Sequence, residues 1–502
     1  MNSMSGLVHR KRFGFSSETR FILALFFFTS LLLLTGIVSS LRIAVLLFGL
    51  VSLVLTLRTK NVFISLFLVS IFTLPFFNPN KYYTVLAIRG LKLLVEFRGD
   101  YLLGYGVNIS NIFIFLSMVA LVRERVLKRG QTSTIFTRSL KLIILSAVAF
   151  FVVGLGASLK YSPFPEASII WLLQYMQVFV LAFAVFYFFA KHKEKFSLVF
   201  ATIFASISLQ SIISLWQYLR QSSVGLPIEF TRIASFFATG LDEINTLFRV
   251  SGTFHFANQL ALIMLTMIIL LSPYALRAKN KLYLFGCFLG FTIIVLTQSR
   301  SIWIATILAV VIFLRVYRKD IGQLVKKLEG KRLLLFGAAI FTVLSYIVIP
   351  RILLSFNVFY EGAGIPIRLR MIREAVEAIR LNPIIGYGVG TNEYLLHSMF
   401  PNGVMAVFPA AIHLGFLQLA LEVGILGLTF FLIPQIYVLR RLFGRTLTNN
   451  KRGAGLDYTF SFIVGLSVFF VYYLFQPHVG IVEFPYLGLI LGFGIISIYP
   501  KL

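Results

Sequence analysis

The chain has 502 residues, of which 58% are hydrophobic and only 13% are charged, with a formal net charge of +28. Soluble chains carry about a quarter charged residues, so this balance excludes an ordinary soluble globular domain. The single cysteine, Cys287, excludes an intramolecular disulfide.

The apolar residues fall in blocks close to the roughly 20-residue length of a bilayer-spanning helix. The sequence therefore predicts an all-α polytopic integral membrane protein in which residues 1–502 form a single multi-spanning domain. The first block follows Arg20 with no small-residue cleavage site, so it is expected to be retained rather than removed as a signal peptide. Fourteen spans are predicted, at about 20–39, 41–57, 61–77, 108–122, 139–157, 167–190, 197–219, 255–274, 281–297, 300–317, 333–350, 413–437, 458–475 and 480–499. The longest connections are 78–107, 220–254 and 351–412, and no internal repeat is evident.

With a cytoplasmic N-terminus, 31 of the 46 lysines and arginines fall on the cytoplasmic side and 15 on the other. That asymmetry follows the positive-inside rule. The basic charge thus orients the chain and meets anionic lipid, and nucleic acid is not an expected partner. In this topology 351–412 is a large extracytoplasmic loop. Arg249, Arg300, Arg368 and His413 then share the outer face.

The most polar long passage runs from Ile367 to Leu428 and opens as an amphipathic helix. Pro366 suits a first turn, and Arg368, Ile372, Ala375 and Ile379 recur at helical spacing. Arg370 and Glu374, and Arg373 and Glu377, stand four apart and are expected to pair. Arg368 has no acid three or four positions away. It is available either to hold an anion or to sit in solvent or lipid headgroups.

The outer connections contain no Asp-x-Asp, no His-x-x-x-His and no cysteine–histidine cluster, and Asp242-Glu243 is an adjacent pair. A metal-free site without cofactors is expected, with guanidinium in the role that Mg²⁺ plays in many phosphate-handling enzymes. Arg249 precedes Ser251-Gly252-Thr253, where glycine would let backbone donors approach a phosphate; the alternative is a snorkelling anchor for the next span. Arg300, in the turn Gln298-Ser299-Arg300-Ser301, binds phosphate or caps a helix. His413, at the start of a span, is a candidate general base or a structural histidine. His255, His397 and His478 lie on the same side. Glu422 lies deep in that span and is expected to bond Gln418 or a neighbouring helix, with Gly424 and Gly427 allowing close helix packing.

Several of these features together resemble the bacterial O-antigen ligase/polymerase family. They are Arg368, Asn382-Pro383-Ile384-Ile385-Gly386-Tyr387-Gly388, His413 and Glu422-Val423-Gly424-Ile425-Leu426-Gly427. Upstream, Arg249-Val250-Ser251-Gly252-Thr253-Phe254 with Asn258, and Thr297-Gln298-Ser299-Arg300-Ser301, are similar to the same family. The resemblance covers roughly residues 245–430. Leu414 stands where the family usually has asparagine after the histidine. The resemblance implies a metal-independent inverting glycosyltransferase of the cytoplasmic (inner) membrane, active at its extracytoplasmic face. Its donor would be glycan on undecaprenyl diphosphate, and its acceptor a hydroxyl of lipid A-core, of another glycan or of a protein. Arg249, Arg300 and Arg368 would hold the diphosphate, and His413 would contact the acceptor. The competing class is a flippase for lipid-linked oligosaccharide, which would place cations in a cavity reachable from both sides.

Overall fold

A computed structural model describes residues 15–35, 38, 41–76, 109–127, 138–226, 229, 248–254, 256–325, 348–349, 365–404, 412–446, 454–476 and 483–499. Helix is the regular structure throughout, with no β-strand among the described residues. The helices are α1 (Ser17–Leu34), α2 (Leu41–Thr59), α3 (Val62–Thr73), α4 (Ile109–Leu127), α5 (Arg138–Tyr161), α6 (Pro165–Tyr175), α7 (Gln177–Lys191), α8 (Phe196–Arg220) and α9 (Ala257–Arg277). They continue as α10 (Lys281–Leu296), α11 (Arg300–Val316), α12 (Arg318–Val325), α13 (Ile365–Leu381), α14 (Asn392–Met399), α15 (Gly415–Thr446), α16 (Ala454–Tyr473) and α17 (Phe484–Ile498).

Among the described residues, six helical stretches are long and apolar enough to cross a membrane: α1, most of α5, α6 with α7, α8 with the turn before it, α9, and Gly415–Leu442 of α15. Shorter apolar helices accompany them. The predicted span 333–350 lies outside the described residues except for 348 and 349, as do the connection 78–107, Asp242, Glu243, His255 and His478. The other predicted spans each coincide with an observed helix.

Local chemistry explains several of the boundaries. Ser16, Asn61 and Asn280 accept hydrogen bonds from the first-turn amides of α1, α3 and α10, which would otherwise be orphaned. Lys60, Gln221, Lys279 and Gln298 take left-handed backbone conformations just past α2, α8, α9 and α10, turning the chain sharply.

The centre of the bundle is α8 and α9, whose apolar stretches are 89% and 83% buried, against 39% for α1 and for α5. Outer helices carry exposed Leu46, Phe115, Leu145 and Ile307. Large apolar residues in such numbers on an outer surface are lipid-facing, because a soluble protein would not leave them to water.

Two elements depart from the pattern expected. In α13 the buried face is Met371, Glu374, Ala375 and Ala378, rotated from the predicted stripe. Glu374 does not pair with Arg370. Its carboxylate instead accepts from the Val404 amide at 3.0 and 3.2 Å. Arg373 and Glu377 are both exposed and make no ion pair with each other. A buried amide left without a partner costs more than an exposed ion pair contributes, so the glutamate turns inward.

The second departure is in α15, which breaks at Gly424 (φ 69°, ψ 176°). The loop Asn382–Gly388 is bound across the break: Tyr387 N donates to Leu421 O (3.0 Å), Gly388 N to Glu422 O (2.8 Å), Ile425 N to Pro383 O (2.8 Å) and Leu426 N to Ile384 O (3.2 Å). The loop thereby satisfies backbone groups that the broken helix frees, as a low-dielectric setting demands. Gly424 was expected to allow close helix packing. It instead makes the break, since a Cβ there would collide with the Ile384 carbonyl.

Candidate functional site

Arg249 leaves the chain just before α9 and is half-buried. Its Nε donates to Thr297 O at 2.8 Å and its Nη2 to Asn258 Oδ1 at 2.7 Å. Asn258 in turn donates to Gln476 Oε1 at 3.1 Å. The guanidinium is thus tied to the same turn, Thr297 to Ser299, that launches Arg300 at the first position of α11. Gln298 Nε2 reinforces the junction by donating to Phe248 O at 3.1 Å. Ser299 occupies the cap position of α11 without a side-chain cap bond. Arg300 projects from this turn and is exposed.

Arg368 is half-buried near the start of α13. Burial, and after it the positive charge of Arg300, lower its pKa from the ordinary arginine value. It stays a cation, since guanidinium does not lose its proton in proteins. Both effects disfavour the charged form, so an anion placed between the two arginines relieves the site. Among the described residues no carboxylate forms an ion pair with either.

His413 stands just before α15, half-buried. Its neighbours Ile412 and Leu414 pack in one apolar cluster with Met371 and Ile367, which flank Arg368 on α13. The structure therefore links Arg249 to Arg300 through the Thr297 turn and Arg300 to Arg368 by charge, and it packs the residues beside His413 in one cluster with those beside Arg368. His397, on α14, is half-buried.

Glu422 is completely buried. Its carboxylate accepts from Tyr175 Oη (3.0 Å), Asn392 Nδ2 (2.8 Å), Gln418 Nε2 (3.0 Å) and the Gly390 amide. It joins α6, the chain entering α14, and α15 into one unit beneath His413. Gly427 lies where a Cβ would press on Val423 and approach Val153 of α5.

Residues 285–432 match the family model described as O-antigen ligase. The chain carries an O-antigen ligase domain. The match covers 148 of the 502 residues, 285 to 432, and supports the resemblance to the O-antigen ligase/polymerase family, a family of membrane glycosyltransferase-type enzymes. No curated protein matches the chain. The ligase domain includes Arg300, Arg368, His413, Glu422, Gly424 and Gly427, whereas Arg249 lies upstream of it.

Outside the matched ligase domain, two buried amides of α8 support Arg249. Gln217 Oε1 accepts from Ser251 N (3.2 Å) and Gly252 N (2.8 Å), while its Nε2 donates to Gly252 O (2.7 Å) and Glu229 Oε1 (2.5 Å). Gln210 holds Thr253 through both its amide oxygen and its nitrogen. Glu229 is fully buried and also accepts from the amides of Val224, Gly225 and Leu226. These bonds correct the expectation for Gly252: the backbone donors beside it are consumed by Gln217 rather than offered to phosphate. Its own need for glycine is steric, with φ +59° and a Cβ that would meet Gln210 Oε1 at 2.5 Å.

Gln217→Leu is therefore expected to lower both donor affinity and turnover, each about tenfold, by unseating Arg249. A donor titration of the purified variant checks this.

Sequence patterns also missed Glu483, at the cap of α17. It is fully buried and accepts at Oε1 from Gln259 Nε2 and Tyr472 Oη, both at 3.2 Å. An acid inside an apolar run was the available signal, as it was for Glu422.

Proposed function

We propose that this protein transfers or polymerises glycan from an undecaprenyl-diphosphate donor onto an acceptor hydroxyl at the outer face of the cytoplasmic membrane. The observation that carries this reading is the set of three arginines, Arg249, Arg300 and Arg368, the last two of like charge and without a carboxylate ion pair among the described residues, together with His413. Such a site favours a multiply charged anion.

In the proposed reaction the acceptor oxygen attacks the anomeric carbon of the donor sugar. The bond between that carbon and the diphosphate oxygen breaks, and the electron pair leaves with the diphosphate. Arg249, Arg300 and Arg368 stabilise the growing negative charge at a low-dielectric boundary, where fixed cations act most strongly. The acceptor proton passes to the His413 imidazole, the side-chain type that most often serves as a general base. Attack from the face opposite the leaving group inverts the anomeric carbon. Arginine takes the place of a divalent cation, and no metal is needed. Lipid A-core, another lipid-linked glycan and a protein side chain are the acceptor classes.

Purified protein given a lipid-diphosphate glycan and an acceptor is expected to form product in EDTA. His413→Ala is expected to slow turnover by about 10² to 10⁴-fold while donor binding persists. Turnover lost in EDTA and restored by Mg²⁺ overturns the metal-free mechanism. Movement of the glycan lipid across liposomes with no new glycosidic bond would identify a flippase instead.

A further inference from the structure

The face of α13 opposite its buried stripe carries Leu369, Arg370, Arg373, Glu377, Arg380 and Leu381, all exposed, with three cations to one acid. Leu369 is 61% exposed and Leu381 is 74% exposed, and Ile384 just beyond the helix is 62% exposed. None of the three arginines pairs with a carboxylate among the described residues.

The backbone bonds across the α15 break tie this face to a candidate membrane span. Pro383 O and Ile384 O accept from Ile425 N and Leu426 N, so the end of α13 lies level with Ile425. Ile425 is inside a candidate membrane span that begins at Gly415. At about 1.5 Å per residue that 28-residue span is about 42 Å long, roughly 12 Å more than the hydrocarbon core needs. With the excess on the His413 side, Ile425, about 15 Å from its start, lies near the outer edge of that core. Ile425 and Leu426 are themselves 55% and 39% exposed, on a helix whose outer surface meets lipid. Leu381 and Ile384 therefore continue a lipid-facing apolar surface, and the arginines flank it along the helix.

We infer that α13 is an interfacial helix, clasped on one side by Met371, Ala375 and Ala378 and lying on the other against the bilayer. Its occupant is anionic phospholipid: acyl chains cover Leu381 and Ile384, and headgroup phosphates meet Arg370, Arg373 and Arg380. Large apolar residues bordered by arginine are the chemistry of a helix in the membrane interface, where the guanidinium reaches phosphate and the stem stays in hydrocarbon. The inference rests on the membrane-spanning character of the bundle and not on the transferase reaction. A helix held this way keeps Arg368 at the level of lipid headgroups.

The test uses the full chain in nanodiscs of phosphatidylglycerol and phosphatidylcholine. Cys287 is replaced by alanine and one fluorophore is attached at Leu381→Cys or, as a control, at the exposed Asn402→Cys. A lipid-borne nitroxide is expected to quench the label at position 381 more than the label at 402, and aqueous iodide the reverse. Equal iodide quenching at both positions overturns the interfacial placement.

In the same discs, spin-labelled phosphatidylglycerol is expected to be retained over phosphatidylcholine. Combining Arg370→Gln, Arg373→Gln and Arg380→Gln is expected to reduce that preference by about twofold or more, with thermal unfolding unchanged. No preference in the wild-type protein, or a preference that the triple variant keeps, overturns the phospholipid assignment.

Discussion

Arg368→Ala is expected to lower glycan transfer by about a hundredfold or more while folded protein in the membrane stays near the wild-type amount. Arg368 is half-buried, and its charge is disfavoured first by burial and then by Arg300. Removing it takes away that repulsion, so the amount of folded protein is expected to hold. The loss appears only when a diphosphate must be held and its leaving charge stabilised.

Arg370→Ala and Arg373→Ala make the comparison, because both side chains are exposed on the far face of the same helix. Each is expected to stay within about twofold of wild type, in line with surface substitutions away from a site. The proposed ion pairs with Glu374 and Glu377 no longer supply the reason; position on the helix does. A transfer assay on purified variants decides it. Equal losses for all three would show that net charge on α13 matters and the Arg300–Arg368 juxtaposition does not.

Gly424→Ala is expected to destabilise the protein by about 3 kcal/mol or more and to abolish transfer with it. Its backbone angles, φ 69° and ψ 176°, lie in a region open essentially to glycine alone. A methyl group there would collide with the Ile384 carbonyl, which accepts a hydrogen bond from Leu426 N. Gly386 (φ +80°) stands on the other side of the contact, with a Cβ that would fall 2.5 Å from Gly424 N. Gly386→Ala should therefore resemble Gly424→Ala. The double variant should cost less than the sum, since both open the same joint.

Gly49→Ala is the control: a Cβ at that position of α2 meets nothing within 4 Å. It is expected to be neutral or slightly stabilising, because alanine is the better helix former. Thermal unfolding in detergent, followed by tryptophan fluorescence, measures all three. A Gly424→Ala protein as stable as Gly49→Ala would mean that the break is not required.

The sequence by itself determined the all-helical membrane class, the helix at Ile365–Leu381 and the placement of the candidate residues at helix ends. Those features depend on local quantities. Bilayer thickness sets the length of an apolar run, and the 3.6-residue repeat marks an amphipathic helix whatever it packs against. Arg368 stood out because no acid lay one turn away, which is also a local fact.

What only the tertiary structure decided concerns partners distant in the chain. Glu374 had a basic residue four positions away and bonds instead to an amide 30 residues on. Gly424 sits in an ordinary apolar run, and its conformation follows from the loop at Pro383 and Ile384. Gly252 suggested a phosphate cradle until Gln217, 35 residues earlier, was found holding its amide. Buried backbone groups in a membrane protein must find hydrogen-bond partners, and any segment brought close by folding can supply them. Sequence spacing records only the partners that lie within a turn or two, so the break in α15 and the clamp on Arg249 became visible only in three dimensions.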